Sequence, residues 1–199
     1  MKSPDQVRSP FRAILYRSEL FYDSEPFETK KIIGSFMQEE RRKEKILIRK
    51  YRVEDAEDLA NIYYNTIHLV NIRDYNQQQV DVWASETSKE AAEWLKKFEI
   101  TNPFVAVINN KVVGFAEFEP SGHIDCFYCH HEWIGCGIGW ALMEAIYASA
   151  AQQGIERIFA EVSITAKPFF DRCGFNTVTE QTVERKGILL TNYKMEKFV

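Results

Sequence analysis

No stretch of the 199 residues approaches the ~18 consecutive apolar side chains that a membrane-spanning helix requires. The opening residues, MKSPDQVRSPFRAILYRSELFYDSE, also lack the unbroken apolar run of a secretory leader, because Arg12, Arg17 and Glu19 interrupt it. These two absences predict a cytoplasmic protein whose thiols stay reduced. Positive charge is not in excess either. Lys plus Arg number 25 against 29 Asp plus Glu, a net charge of -4, which argues against nucleic acid or an anionic membrane as the main partner. Cysteine is scarce, at four residues, and only one Cys-x-x-Cys pair exists. No internal repeat is found.

What is present suits one domain with an extension. Apolar residues make up 45% and aromatics 14%, enough for a sizeable core. Residues 1–45 read as an N-terminal extension of short helices that ends in the charged linker EERRKEK. Residues 46–199 read as a folded domain. ILIRKY is a β-branched strand. VEDAEDLANIYYNTIHLV is an amphipathic helix that Asp55 and Asp58 can cap, and Thr87 with Glu90 predicts a capping box before AAEWLKKF. FVAVI and KVVGFAEFE form a hairpin about Asn109-Asn110, because paired asparagines tolerate positive φ. HIDCFYCH follows as a strand, GIGWALMEAIYASAAQQ as a helix stopped by Gly154, ERIFAEVS as a strand and AKPFFDRC as a short helix. FNTVTEQTVER and ILLTNYKMEKFV close as a hairpin about Lys186-Gly187. The order β-α-α-β-β-β-α-β-α-β-β predicts an α/β (α+β) protein with a mixed sheet and helices on both faces.

The densest chemistry lies in DCFYCHHEWIGCGIGWALM, residues 125–143. Cys126-Phe-Tyr-Cys129-His130 has the spelling of a c-type haem attachment site. It falls in a strand of a chain with no export signal, which argues against haem. A zinc site would need a second ligand pair from Cys136, Cys173, His130 or His131, and two strand residues three apart point to opposite faces. Core packing is the ordinary fate of such cysteines, so no metal is expected. Gly135, Gly137 and Gly139 lie between a strand and a long helix, where close backbone approach and free helix N–H groups favour an anion such as a pyrophosphate. Trp140 replaces the third glycine of a dinucleotide fingerprint, and no Gly-Lys-Ser/Thr follows.

A strand, then Ile134-Gly-Cys-Gly137-Ile-Gly139 opening a helix, then Ser163-Ile-Thr-Ala166-Lys-Pro-Phe-Phe170 and Gly174-Phe175, resembles the GNAT-type N-acetyltransferases over residues 46–199. The wording of GHIDCFYCHHEWIGCGIGWALM, SITAKPFF and LTNYKMEK is similar to a bacterial YafP-like branch. The resemblance implies a mostly antiparallel sheet with one splayed parallel pair holding acetyl-CoA as cosubstrate. Pantetheine would meet the backbone of Phe127, Tyr128 and Cys129, and the pyrophosphate the loop of Ile134, Gly135, Cys136, Gly137, Ile138, Gly139 and Trp140. Ser163 and Phe170 would stand at further cofactor positions. Ile134 and Cys136 depart from the usual polar loop side chains, Ser163 from an Asn, and Phe170 from a proton-donating Tyr that Tyr128 or water would replace.

An acceptor amine is protonated at neutral pH and needs a base, for which the candidates are His123, Asp125 and Glu117. Glu117, Glu119 and Asp125 would also give the acceptor cleft a negative lining. The expected activity is acetyl transfer from acetyl-CoA to a primary amine of a small molecule or protein. The alternative is a CoA-binding sensor or interaction module with lost turnover, its partner held by residues 1–45. A homodimer is compatible with the sequence.

Overall fold

The computed structural model describes residue 41 and residues 44–199, so the expected 1–45 extension lies almost wholly outside the described residues. Residues 45–199 form one compact unit. Seven strands make a single sheet: β1 (Leu47–Lys50), β2 (Phe104–Ile108), β3 (Lys111–Phe118), β4 (His123–Cys129), β5 (Arg157–Ser163), β6 (Asn176–Arg185) and β7 (Ile188–Phe198). Their order is β1-β2-β3-β4-β5-β7-β6. Every neighbouring pair is antiparallel except β4 with β5.

Three helices cover one face: α1 (Ala56–Leu69), α2 (Gln77–Trp83) and α3 (Ala91–Thr101). The other face carries α4 (Ile138–Gln153) and the short α5 (Lys167–Arg172). Leu142, Met143 and Ile146 of α4 are fully buried, each contributing about 1.5–3 kcal/mol relative to an exposed position. Gly114 of β3 allows this helix to come close, since a Cβ there would lie 2.8 Å from Ile138 Cγ2. Asn109 and Asn110 do adopt positive φ, 48° and 65°, and link β2 to β3 directly.

Local chemistry differs from expectation in three places. The short helix α2 was not anticipated, although Asn76 accepts from the Gln79 N–H and Gln79 Oε1 accepts from the Asn76 N–H, a capping box legible as Asn-x-x-Gln. No side-chain cap forms at Glu90, because Thr87 is drawn into a 3-10 turn over Glu86–Lys89. Asp55 stands at the start of α1 without capping it. Its carboxylate instead takes Arg49 at 2.6 and 2.7 Å and the Arg52 N–H at 2.8 Å.

Candidate functional site

The strands β4 and β5 pair only at His123 with Phe159 and Ile124 with Ala160. Beyond that point they part, while β4 stays bonded to β3 and β5 to β7 along its whole length. The cause lies in β4. Ala116 faces Phe127 and Phe118 faces Ile124, so β4 carries one more residue than β3 and bulges at Asp125–Cys126. A cavity of ≈ 490 Å³ opens in the fork, floored by Phe127, Tyr128 and Cys129 of β4 on one side and Ala160 to Ser163 of β5 on the other.

The cavity runs to the start of α4. Ile134, Gly135, Gly137, Ile138, Gly139 and Trp140 line it. Gly137 is the N-cap, with φ +88°, and the first-turn N–H groups behind it have no partner within the helix. A Cβ on Gly139 would sit 3.1 Å from the Phe169 ring, a tight contact that the ring would have to relieve by a few tenths of an ångström. Cys136 is the exception in the loop, its side chain buried in the core beneath. Ser163 and Phe170 both line the cavity. Ser163 Oγ also accepts from the Ala166 N–H at 3.0 Å, and Phe170 is buried in a cluster of edge-on rings with Phe127, Phe169 and Phe175.

Regular alternation beyond the bulge separates the opening cysteines. Cys126 packs under α1 and α3, whereas Cys129 packs on the α4 side, and the His130 imidazole turns back to accept from the Glu132 N–H. The haem-like spelling therefore does not converge on one point. Burial pushes the Cys129 thiol up to about 12 and the Cys126 thiol up as well. Among the described residues, one trio has ligand atoms close enough for a metal ion: Glu117, Asp125 and Cys126, within 4.8 Å of one another. An ammonium already stands among them. Lys97 Nζ of α3 lies 2.8 Å from Glu117 Oε2, 2.7 Å from Asp125 Oδ2 and 3.5 Å from Cys126 Sγ.

The candidate bases are placed very differently. Glu117 is fully buried; besides Lys97 it accepts from Thr101 Oγ1 at 2.6 Å. Burial works to lower the Lys97 pKa, but Cys126, Glu117 and Asp125 outweigh it and raise it. Asp125 lines the cavity. His123 does not. Its ring stacks on Phe159, with Nε2 2.7 Å from Glu161 Oε2 and Nδ1 3.3 Å from Glu119 Oε2. Glu161 lines the cavity on β5, a position the sequence reading missed. Tyr128 also lines it, packed against Tyr63 and Phe115, and burial raises its pKa while a hydrogen bond with Trp83 partly offsets this. Arg73 and Arg172 were missed too; both bring positive charge to the cavity wall.

A protein-family profile described as an acetyltransferase (GNAT) domain matches residues 71–197. The chain is 32% identical over 150 residues to the uncharacterized N-acetyltransferase YafP of Escherichia coli (strain K12), spanning 75% of this chain and 94% of that protein. It is similar in structure to a GCN5-related N-acetyltransferase from Rhodopseudomonas palustris, with TM-score 0.72 and 28% identity over 77% of this chain and 95% of that one. PaiA N-acetyltransferase from Thermoplasma acidophilum, solved with coenzyme A, shares the fold at TM-score 0.61 and 18% identity, covering 78% and 99% of the two chains. No described helix is long and apolar enough to cross a membrane. With the forked parallel pair, the glycine loop and these similarities in hand, the chain belongs to the GNAT family of N-acetyltransferases.

Proposed function

We propose that residues 46–199 are a catalytic domain, with 1–45 as an extension, that moves the acetyl group of acetyl-CoA onto a primary amine by direct attack. The observation that carries this reading is the β4–β5 fork, which leaves Phe127–Cys129 without strand pairing to β5 at the mouth of a cavity reaching the α4 N-terminus, the Cys129 carbonyl accepting instead from Thr66 Oγ1 at 2.8 Å. Its residues fit the cosubstrate. Unpaired strand backbone suits the pantetheine amides, and the first turn of α4 suits the pyrophosphate. The loop 130–140 holds no Lys or Arg, and Arg73 and Arg172 supply the cationic charge it lacks.

The amine enters from the side of α1 and α3, where Asp125 and Glu161 give the cavity a negative lining that attracts an ammonium. Once deprotonated, the nitrogen lone pair attacks the thioester carbon. The N–C bond forms, the C–S bond breaks and the thiolate departs. Tyr128 keeps its proton at neutral pH and donates a hydrogen bond to the departing sulfur. Glu117 is sealed from the amine and acts as an anchor for Lys97.

Thermal unfolding with and without CoA tests the seat. At about 100 times its dissociation constant, CoA adds roughly 2.7 kcal/mol, a rise of about 5–10 °C for a domain of this size. Release of free CoA thiol from acetyl-CoA in the presence of amines tests transfer. A rise in Tm without thiol release would support the sensor alternative, and no rise at all would overturn the cofactor seat.

A further inference from the structure

Three side chains from three segments are joined by two short contacts, Glu161 on β5 to His123 on β4 at 2.7 Å and His123 to Glu119 in the turn before it at 3.3 Å. Glu161 lines the cavity, and its side chain is 40% exposed. Glu119 at the other end is 41% exposed, and the imidazole between them is 20% exposed. The two ring nitrogens therefore face different carboxylates, one bordering the cavity and one bordering solvent.

We propose that Glu161 is the group that takes the proton from the acceptor amine, and that His123 relays it to Glu119 and out to water. The proposal rests on the acetyl-transfer reading above. It assigns catalysis to a residue on β5 rather than to His123 or Asp125 alone.

The geometry favours Glu161 over its competitors. Asp125 also borders the cavity, but its Oδ2 is held by Lys97 at 2.7 Å, and the same ammonium anchors Glu117. His123 has the chemistry of a base, yet Glu161 stands between its Nε2 and the cavity. An imidazole with a carboxylate at each nitrogen suits a relay, because it can gain a proton on one side and lose one from the other. The proton balance is complete. The ammonium gives H⁺ to the Glu161 carboxylate, and the carboxylic acid gives it to His123 Nε2. The transient imidazolium releases the Nδ1 proton to Glu119, and exchange with water restores both the carboxylate and the starting tautomer. The ring is fixed by its stack on Phe159, itself capped by the Arg157 guanidinium 4.7 Å away. Other charges near the relay are Asp125 on β4, Lys194 opposite Glu161 on β7, and Glu196, which pairs with Arg157 at 2.7 Å.

The test uses the full chain and two assays of thiol release, with spermidine as acceptor and with water alone, so that a readout exists for any acceptor preference. Glu161→Gln is expected to lose roughly 10²–10⁴-fold in kcat in either assay, with KM for acetyl-CoA and the CoA-induced Tm rise unchanged. Its pH profile should lose the limb that reports the base, leaving a rate that climbs with hydroxide. His123→Ala should lose about tenfold or more and recover with added imidazole, which a merely structural role would not do. Glu119→Gln removes the carboxylate that accepts at Nδ1 and should lower kcat by about tenfold in either assay. Retained kcat in Glu161→Gln, or a loss confined to KM for acetyl-CoA, overturns the relay while leaving the transferase reading intact. Wild-type protein that shows neither a CoA-induced Tm rise nor thiol release overturns both.

Discussion

The face of the sheet under α4 buries Leu142, Met143, Ile146, Ile158 and Met195, hydrocarbon and thioether packed on strand residues. The opposite face, under α1 and α3, buries the carboxylate of Glu117, holds Lys97 among three anionic or acidic partners, and fixes the Tyr63 hydroxyl on the Trp83 carbonyl at 3.0 Å. Both faces share β4, whose Ile124, Phe127 and Cys129 join the first and whose Cys126 and Tyr128 join the second. The first face has one task, which is to hold the glycine loop and α4 at a fixed distance from β4. On the reading proposed above, the second holds charge in place while a polar acceptor comes and goes. Non-directional packing suffices for one, and paired polar groups of set geometry are needed for the other.

Ile146→Ala probes the hydrocarbon face and should have the largest effect on stability. Ile146 is fully buried at the centre of that core, and truncation to Ala typically costs about 2–5 kcal/mol. The expected fall in Tm is roughly 5–15 °C, with kcat per folded molecule unchanged. A change in kcat at a temperature where the variant is fully folded would break the division of labour between the faces.

Lys97→Met probes the other face and should lose somewhat less stability while also impairing turnover. Removing one partner of a fully buried pair costs about 3–5 kcal/mol, but the Lys97 side chain is 36% exposed, so solvent screening reduces this to about 2–3 kcal/mol. The raised pKa of Lys97 fixes the pH window. Its contribution is complete below the ordinary lysine value of 10.5 and fades only as pH climbs beyond it. The deficit of the variant should therefore be the same at pH 7 and pH 9, read by urea unfolding. A second change, Glu117→Leu in the same chain, should recover most of the loss, because the buried charge left unpaired is then gone. Failure to recover would mean that the ammonium stabilises chiefly through its other partners, Asp125 at 2.7 Å and the Trp94 ring 5.4 Å away, rather than through Glu117.

These two substitutions also mark what the sequence disclosed. The hydrocarbon face was legible because its signals are local: the glycine loop, the Gly154 stop and the Asn109-Asn110 turn all lie within a few residues of what they determine. The alternation of β4 likewise separated Cys126 from Cys129. The polar face was not legible in the same way. Lys97 meets Asp125 across 28 positions and His123 meets Glu161 across 38, and nothing near either residue announces its partner. The bulge at Asp125–Cys126 is set by register with β3, so strand alternation alone could not locate it. Helix α2 was within reach, since Asn76-x-x-Gln79 precedes Val80, but its run of three glutamines offers little apolar spacing.

The smallest expected effect belongs to Phe170→Tyr, which places a phenol where many relatives of the resemblance carry one. The ring is buried against Phe127, Phe169 and Phe175, with centroids at 5.0–5.7 Å, and the residue is part of the cavity lining. A hydroxyl reaching the cavity keeps its water partners, so stability should move by less than about 1 kcal/mol. Turnover should move little as well. A thiolate is a stable leaving group at neutral pH, where ordinary thiols have pKa values near 8.5, and Tyr128 already supplies an O–H on the polar face. The expected change in kcat is below about threefold, and Tyr128→Phe alone should lose more, up to about 10²-fold. If Phe170→Tyr instead raised kcat tenfold or more and rescued Tyr128→Phe completely, the departing sulfur would be served from the α4 side. The division would then fall between the acceptor and the thiol rather than between the two faces of the sheet.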